Sequence, residues 1–282
     1  MNLDARSGLA IAAFFAVIFS LVAIPFSAHG SAATGFAAAE FEAYGKIEHF
    51  TWKEYANGEQ LLEESGPIFG AGGRVRIPIT ESVTAKFRGE LFGGTVDYDG
   101  QTSPGEYPLT SDTDYAGIKL EADVAVDLVA GEKSVLGPFG GFGARGWERD
   151  IAGSSFWNPD DQTTQYARGV TERWRNYYAR AGINGAHAFS GRLEAFVTAG
   201  VKIPIYTENE AEITDSVFIT LEPGKRLSGF AEMGLEIGMV RVSIFYESLR
   251  FSQSDWVAFG SKYYYQPKSE ADIFGINAGV TF

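Results

Sequence analysis

Apolar and polar residues alternate along most of this chain, in segments that polar or glycine-rich stretches separate. Leu193, Val197 and Ile203 stand at odd positions, for example, whereas Glu194 and Lys202 stand at even ones. Side chains of a strand point alternately to opposite faces, so each segment predicts a strand with one apolar and one polar face. Ten such segments cover about 41–55, 69–79, 83–91, 116–126, 135–149, 174–183, 193–205, 227–237, 242–246 and 274–282.

The last segment places its apolar side chains on one face and finishes on a phenylalanine. These side chains are Phe274, Ile276, Ala278, Val280 and Phe282. A soluble sheet would need further chain to cover that face, whereas lipid covers it in a membrane barrel whose first strand pairs the open edge. The segment resembles the C-terminal signature of bacterial outer-membrane β-barrels, which implies recognition by the barrel-assembly machinery.

A soluble β-sandwich also consists of short alternating strands. It does not account for Arg, Lys and Glu opposite the apolar face of nearly every segment, nor for the terminal phenylalanine. The sequence therefore predicts an all-β fold, a closed antiparallel transmembrane β-barrel of about ten strands, with eight or twelve as alternatives. Short turns alternate strictly in sequence with long polar stretches at 97–114, 150–171, 207–225 and 252–267. This alternation predicts periplasmic turns, external loops and both chain ends in the periplasm.

The first thirty residues have the character of an export signal. A short polar start with Arg6 precedes an apolar run over residues 9–24, and Ala28, His29 and Gly30 fit a small-x-small cleavage site. An uncleaved inner-membrane anchor is the alternative, because the run is close to the minimum length of a span. We expect residues 1–30 to be removed and residues 31–282 to form one outer-membrane barrel domain.

Composition excludes several classes of function. The formal net charge is −13, so the chain lacks the basic footprint that nucleic-acid binding requires. Cysteine is absent, which excludes disulfides and thiolate metal sites. We expect no cofactor.

The polar faces of the segments predict the lining of the lumen. Charge on the lipid side would cost roughly 2–4 kcal/mol per Arg or Lys near the bilayer midplane, so these side chains are expected to point inward. The interior of a barrel this small can be filled by side chains, and unpaired charges there are costly. We therefore predict an ionic network that closes the lumen, with a narrow ion path as the alternative. Its members are Arg74, Arg76, Lys86, Arg88, Lys119, Arg145, Arg180, Lys202, Glu90, Glu121, Asp123, Glu194, Glu232, Glu236 and Glu247.

The sequence offers little support for a catalytic site. Omptin-type proteases also have ten strands, but they need an external histidine. Here His29 leaves with the signal, His49 lies within the first strand and His187 lies in a predicted periplasmic turn. We therefore predict no enzymatic activity. The external carboxylates are weak candidates for a divalent cation, or for a cation bridge to lipopolysaccharide. They are Asp97, Asp99, Asp112 and Asp114.

Aromatic residues concentrate near the predicted strand ends, as in the interfacial girdles of barrels. A carbohydrate-stacking surface is the alternative. The residues concerned are Trp52, Tyr55, Tyr98, Trp147, Trp174, Tyr177, Tyr178, Tyr206, Trp256, Tyr263, Tyr264 and Tyr265.

Several phrases resemble a family of Gram-negative outer-membrane barrel proteins to which no activity is assigned. They are Trp52–Tyr55, Leu61–Pro67, Leu91–Gly100, Tyr206–Asn209 and Ala271–Gly275. The resemblance implies location and architecture alone. The leading hypothesis is an outer-membrane protein with a structural or surface-binding role, in contact with lipid and lipopolysaccharide. A narrow channel and an outer-leaflet hydrolase are the alternatives, and the oligomeric state stays open.

Overall fold

A computed structural model describes residues 39–102, 107–214 and 217–282. The predicted signal peptide at residues 1–30 lies outside these ranges. No helix in the described part of the chain is long and apolar enough to cross a membrane.

The described residues form seventeen strands. The first nine are β1 (Glu40–Ala56), β2 (Glu59–Thr80), β3 (Val83–Gln101), β4 (Pro108–Val126), β5 (Val129–Ala130), β6 (Ser134–Ile151), β7 (Ser154–Asn158), β8 (Thr163–Ala167) and β9 (Val170–Ser190). The others are β10 (Leu193–Thr214), β11 (Val217–Leu221), β12 (Gly224–Lys225), β13 (Ser228–Ile237), β14 (Val240–Ser252), β15 (Val257–Phe259), β16 (Lys262–Tyr264) and β17 (Lys268–Thr281).

Ten long strands close into one antiparallel barrel, which confirms the predicted fold and strand number. In order around the wall they are β1, β2, β3, β4, β6, β9, β10, β13, β14 and β17. The ring closes where β17 pairs with β1. At that seam the amide of Phe41 donates to the carbonyl of Phe282 at 3.0 Å, and the amide of Phe282 donates back at 2.8 Å. The terminal strand thus forms the closing edge.

The barrel has two dissimilar ends. At the turn end, the connections at 81–82, 127–133, 191–192 and 238–239 are short. At the loop end, two connections carry hairpins of their own, β7–β8 and β15–β16.

The predicted regular alternation of short turns and long loops is wrong. β1 and β2 are joined at the loop end by only Asn57 and Gly58, whose φ values of 52° and 88° fit a type I′ hairpin turn. The stretches predicted as loops over 97–114 and 207–225 are mostly strand in β3, β4, β10 and β11. The wall therefore continues well beyond the apolar segments that predicted it.

The outward face carries an apolar band in the part of the wall nearer the turn end. The five apolar side chains of the last segment all lie on this face, and Phe274 and Ile276 are at least half exposed. On β1 the outermost member of the band is Ile47, after which the outward positions are His49, Thr51 and Lys53. This band is the surface that lipid would cover.

Above the band the barrel interior is an aromatic core. Trp52, Trp147 and Trp174 are each at most 6% exposed, and the rings of Trp147 and Trp174 stack. Tyr98 is buried there too, whereas Tyr178 is buried among the charges of the lumen, where its hydroxyl donates to Glu121. The prediction that these five residues belong to an interfacial girdle is wrong, because their side chains point into the barrel interior.

Candidate functional site

The lumen is crossed by a continuous set of ion pairs, called here the lumen network. Glu90 on β3 is one centre of it, with its side chain fully buried. Its carboxylate lies 2.8 Å from Lys119 Nζ and 3.4 Å from Lys46 Nζ, and it also pairs with Arg88. The hydroxyl of Tyr44 donates to the same carboxylate at 2.7 Å. Side chains from β1, β3 and β4 thus converge on one anion.

Glu247 on β14 is the second centre. Nζ of Lys202 lies 2.6 Å from its carboxylate, and Lys119 and Arg145 both approach to 3.0 Å. Because β4 and β14 stand five strands apart in a ring of ten, Lys119 joins opposite sides of the lumen.

The network extends toward the turn end through Glu232. Arg74 Nη2 lies 2.6 Å from its carboxylate and Arg88 Nη1 lies 3.4 Å away. On the opposite side Arg180 pairs with Glu121 and with Asp123. Buried anions held by several cations each are the arrangement expected where charges leave water.

The remaining predicted lumen residues lie at the turn end. Arg76 pairs with Glu40 at 3.1 Å, and Glu236 pairs with Arg241 at the same distance. Lys86 and Glu194 line a cavity of about 220 Å³ between the network and the turn end. Network members that the sequence analysis did not single out are Glu42, Lys46, Glu48 and Arg241.

The network leaves little free space at its centre. The cavity beside Lys119, Lys202 and Glu247 has a volume of only about 30 Å³, which corresponds to one or two water molecules. These three side chains are at most 6% exposed. The arrangement can therefore hold water and protons among paired charges at this level of the lumen.

A second buried charged group, the Arg149 cluster, lies above the apolar band and was missed by the sequence analysis. Arg149 on β6 donates to Glu54 at 3.0 Å, to Glu64 at 2.7 Å and to Glu172 at 2.9 Å. Trp52 donates to Glu54 at 2.9 Å, so the aromatic core and the ion cluster are joined. Asn57-Gly58 is a hairpin signal, and it would have extended the predicted second strand far enough to include Glu64.

Three carboxylates surround one guanidinium in this cluster, and a proton can reduce the excess of negative charge. Glu54 lies seven residues beyond Ile47, the outermost apolar outward residue of β1, and thus beyond the apolar band. Burial raises the pKa of Glu54 to about 7, the charge of Arg149 opposes this shift, and the charge of Glu172 adds to it. A change of charge near neutral pH is therefore built into the loop end of the barrel.

The weak metal candidates lie on strands and point outward, so they do not belong to a loop. Asp97 stands opposite Asp112 on the pair β3–β4, and Asp114 accepts a hydrogen bond from Thr95 at 2.5 Å. Asp99 is exposed one outward position above Asp97. In the described parts of the chain, no three His, Cys, Asp or Glu side chains are grouped to hold a metal ion.

Both described histidines contact serines. His49 Nε2 lies 3.2 Å from Ser65 Oγ on the outward face, and His187 Nδ1 lies 2.7 Å from Ser134 Oγ near the turn end. Within the described residues no carboxylate hydrogen bonds to either ring, so neither pair has the third group that orients a catalytic base.

Comparison with solved structures supports the architecture. The outer-membrane protease OmpT of Escherichia coli superposes with a TM-score of 0.62 at 12% identity, covering 89% of this chain and 98% of that chain. The chain has the fold of a bacterial outer-membrane β-barrel protein. No protein-family model and no curated protein matches the sequence.

More distant likeness extends to two other outer-membrane barrels. The translocator domain of the autotransporter NalP from Neisseria meningitidis gives a TM-score of 0.42 at 12% identity, covering 96% of this chain and 97% of that one. Ail of Yersinia pestis gives 0.31 at 9% identity, covering 86% and 99%. A likeness at these identities concerns the fold alone.

Proposed function

We propose that this protein is a closed, non-conducting barrel of the bacterial outer membrane whose loop end faces outward and has a structural or surface-binding role. The observation that carries this proposal is Lys119, which bridges Glu90 and Glu247 across the full width of the lumen. Moving an ion through that level would require breaking buried, multiply paired charges, which costs several kcal/mol per pair.

Exposed aromatic side chains at the loop end support a surface-binding role. Trp157 and Tyr166 lie on the hairpin β7–β8, and Tyr263 lies on β16. These three side chains are between 57% and 69% exposed. Large aromatics left in water on hairpins are typical of contact surfaces rather than of folding cores.

Conductance in planar bilayers tests the closed lumen. The wild-type barrel is expected to be silent, whereas Lys119→Ala together with Glu247→Ala should open a path and give discrete ion currents. The matched control is Arg173→Ala with Glu148→Ala, an exposed pair on the outer wall. Frequent wild-type openings that the lumen double variant abolishes would establish the narrow-channel alternative instead.

The same proposal makes the protein a non-enzyme. Purified barrel incubated with lipopolysaccharide is expected to release no fatty acid, as measured by mass spectrometry. The Ser65→Ala variant serves as the comparison, because Ser65 is the hydroxyl in contact with the outward His49. Fatty-acid release that disappears in this variant would establish the hydrolase alternative.

A further inference from the structure

The outer wall formed by β13, β14, β17 and β1 carries an open apolar groove of about 620 Å³. The strand register places the residues that line this groove side by side on neighbouring strands. Tyr246 stands beside Phe274, and Ile244 stands beside Ile276. The small side chain of Ala231 lies opposite Tyr246 and leaves space next to that ring.

A second apolar groove of about 790 Å³ continues this surface toward the turn end. The two grooves share Val197, Met233 and Ile244. Together they form one apolar track along the wall, from the turn end to the upper edge of the apolar band.

Three basic side chains, called here the basic cluster, stand just above this track. They are Arg226, Arg250 and Lys268. Two carboxylates lie among them. Glu270 is 2.8 Å from both Arg226 and Lys268, and Asp272 is 2.5 Å from Arg250. One positive charge is in excess within this cluster. Arg250 also donates through Nη1 to the backbone carbonyls of Leu249 and Ala271, and neither guanidinium uses all five of its N–H donors in these contacts.

Asp272 ties the basic cluster to the groove. Its Oδ1 accepts a hydrogen bond from the Tyr246 hydroxyl at 2.7 Å and another from Arg250 Nη2. The guanidinium of Arg250 therefore lies at the rim of the apolar groove. An anion bound there would have its apolar tail directed along the track.

The other side of the barrel has the opposite charge at this level. Six carboxylates point outward on β3, β4 and β6 above the apolar band, and they would repel an anionic headgroup. They are Asp97, Asp99, Asp112, Asp114, Glu148 and Asp150.

We propose that the wall of β13, β14, β17 and β1 is a binding site for lipopolysaccharide. A phosphate of the glycolipid binds to Arg226, Arg250 and Lys268, and its acyl chains lie in the groove beside Tyr246 and Phe274. This assignment rests on the proposed function, because phosphorylated glycolipid meets the basic cluster only if the loop end faces outward. It places lipopolysaccharide on the wall opposite the acidic residues that the sequence suggested.

Binding of fluorescently labelled lipopolysaccharide to the purified barrel in non-ionic detergent, followed by anisotropy, tests the site. The variant Arg226→Gln, Arg250→Gln, Lys268→Gln is expected to bind about tenfold more weakly or worse, because charge-assisted contacts to phosphate are lost. The matched control removes three outward arginines elsewhere, as Arg168→Gln, Arg173→Gln, Arg175→Gln, and should keep wild-type affinity. Arg226→Gln with Lys268→Gln serves if the loss of Arg250 prevents folding.

Two ligand controls need no variant. Dephosphorylated lipopolysaccharide should bind the wild-type barrel as weakly as the triple variant binds the intact lipid, and phosphatidylglycerol should not displace the labelled lipid. Unchanged affinity in the triple variant, equal binding without phosphate, or displacement by phosphatidylglycerol would each overturn the site. Heat-modifiable gel migration separates the two failures: a folded triple variant with unchanged affinity removes the site alone, whereas a wild-type protein without a heat-modifiable folded form removes the proposed function as well.

Discussion

Arg149 holds Glu64 through two of its nitrogens, with Nε 3.1 Å and Nη2 2.7 Å from Glu64 Oε1, although both side chains are almost entirely excluded from solvent. The guanidinium is also the counter-charge of Glu54 and Glu172. Removing it would leave three buried carboxylates without their common partner. The cluster therefore ties together four strands of the wall above the apolar band.

Arg149→Met is expected to lower the free energy of unfolding by about 3–5 kcal/mol, since it leaves buried charge unpaired. Urea unfolding in lipid vesicles, followed by tryptophan fluorescence, measures the change. Arg173→Met on the outward face of β9 is the control, because its ion pair with Glu148 is half exposed and such pairs contribute at most about 1 kcal/mol. Equal effects of the two substitutions would show that burial of Arg149 is unimportant.

The stability of the barrel should fall as pH rises between about 4.5 and 7. The carboxyl of Glu54 has an ordinary pKa of 4.5, and burial raises it to about 7 in the folded protein. The folded state therefore keeps a proton that the unfolded chain releases, so the stabilising contribution is complete below 4.5 and is lost as pH rises through 7. The whole change amounts to about 3 kcal/mol.

Glu54→Gln isolates this contribution, because the amide cannot titrate but still accepts hydrogen bonds from Trp52 and Arg149. We expect the wild-type protein to lose about 2.5 kcal/mol relative to this variant between pH 5 and pH 8, in the same urea assay. Parallel pH profiles for the two proteins would contradict the assignment.

Gly143 on the inward face of β6 leaves room for the aromatic ring of Tyr178 on the neighbouring strand. A Cβ on Gly143 would lie 2.4 Å from the ring of Tyr178, whose hydroxyl donates to Glu121 at 2.9 Å. Gly143→Ala should therefore displace Tyr178 and destabilise the barrel by about 1–3 kcal/mol. Gly140→Ala on the same strand is the control, since its nearest neighbour lies 3.9 Å away, and it should be nearly neutral.

Phe282 lies at the seam where the ring of strands closes. Its aromatic ring stacks on Phe41 with centroids 6.4 Å apart, next to the two backbone hydrogen bonds of the seam. Deleting Phe282 should reduce the yield of folded, heat-modifiable barrel in bacterial membranes several-fold. Phe142→Ala removes an outward aromatic side chain from β6, which lies away from the seam, and should have a smaller effect.

The sequence predicted the part of the wall that faces lipid and failed above it, for one physical reason. In the apolar band the outward residues are apolar and the inward residues are charged, as for Ile47 and Lys46 on β1. Higher on the same strand this order reverses, so that Trp52 points inward and Lys53 points outward. Side chains still alternate between the two faces there, but the apolar side chains now lie on the inward face.

This inversion explains which site residues could be found. Arg74 and Glu232 were placed in the lumen because their strands carry apolar neighbours on the opposite face. Arg149 and Glu64 lie where the outward side chains are polar as well. The sequence pattern around them therefore predicts a strand end or a loop. Contacts between residues far apart in sequence, such as Arg226 with Glu270, have no signature in any single segment.

The wall beside β10 is interrupted where β13 begins. Lys202 pairs with Ser228, and the next pairing on that side joins Asn209 to Leu221, so residues 203–208 of β10 have no strand partner on that side, whereas Gly224 and Lys225 of the connecting segment pair with β14. The backbone groups of β10 that face this gap need water or other partners, which hydrocarbon does not supply. The nonpolar layer must therefore end at or below Ser228. The ten residues of β13 beneath this point, at the usual rise and tilt of a barrel strand, correspond to a layer about 23 Å thick. The break in the ladder thus sets the depth at which the protein can sit and matches it to a thin bilayer.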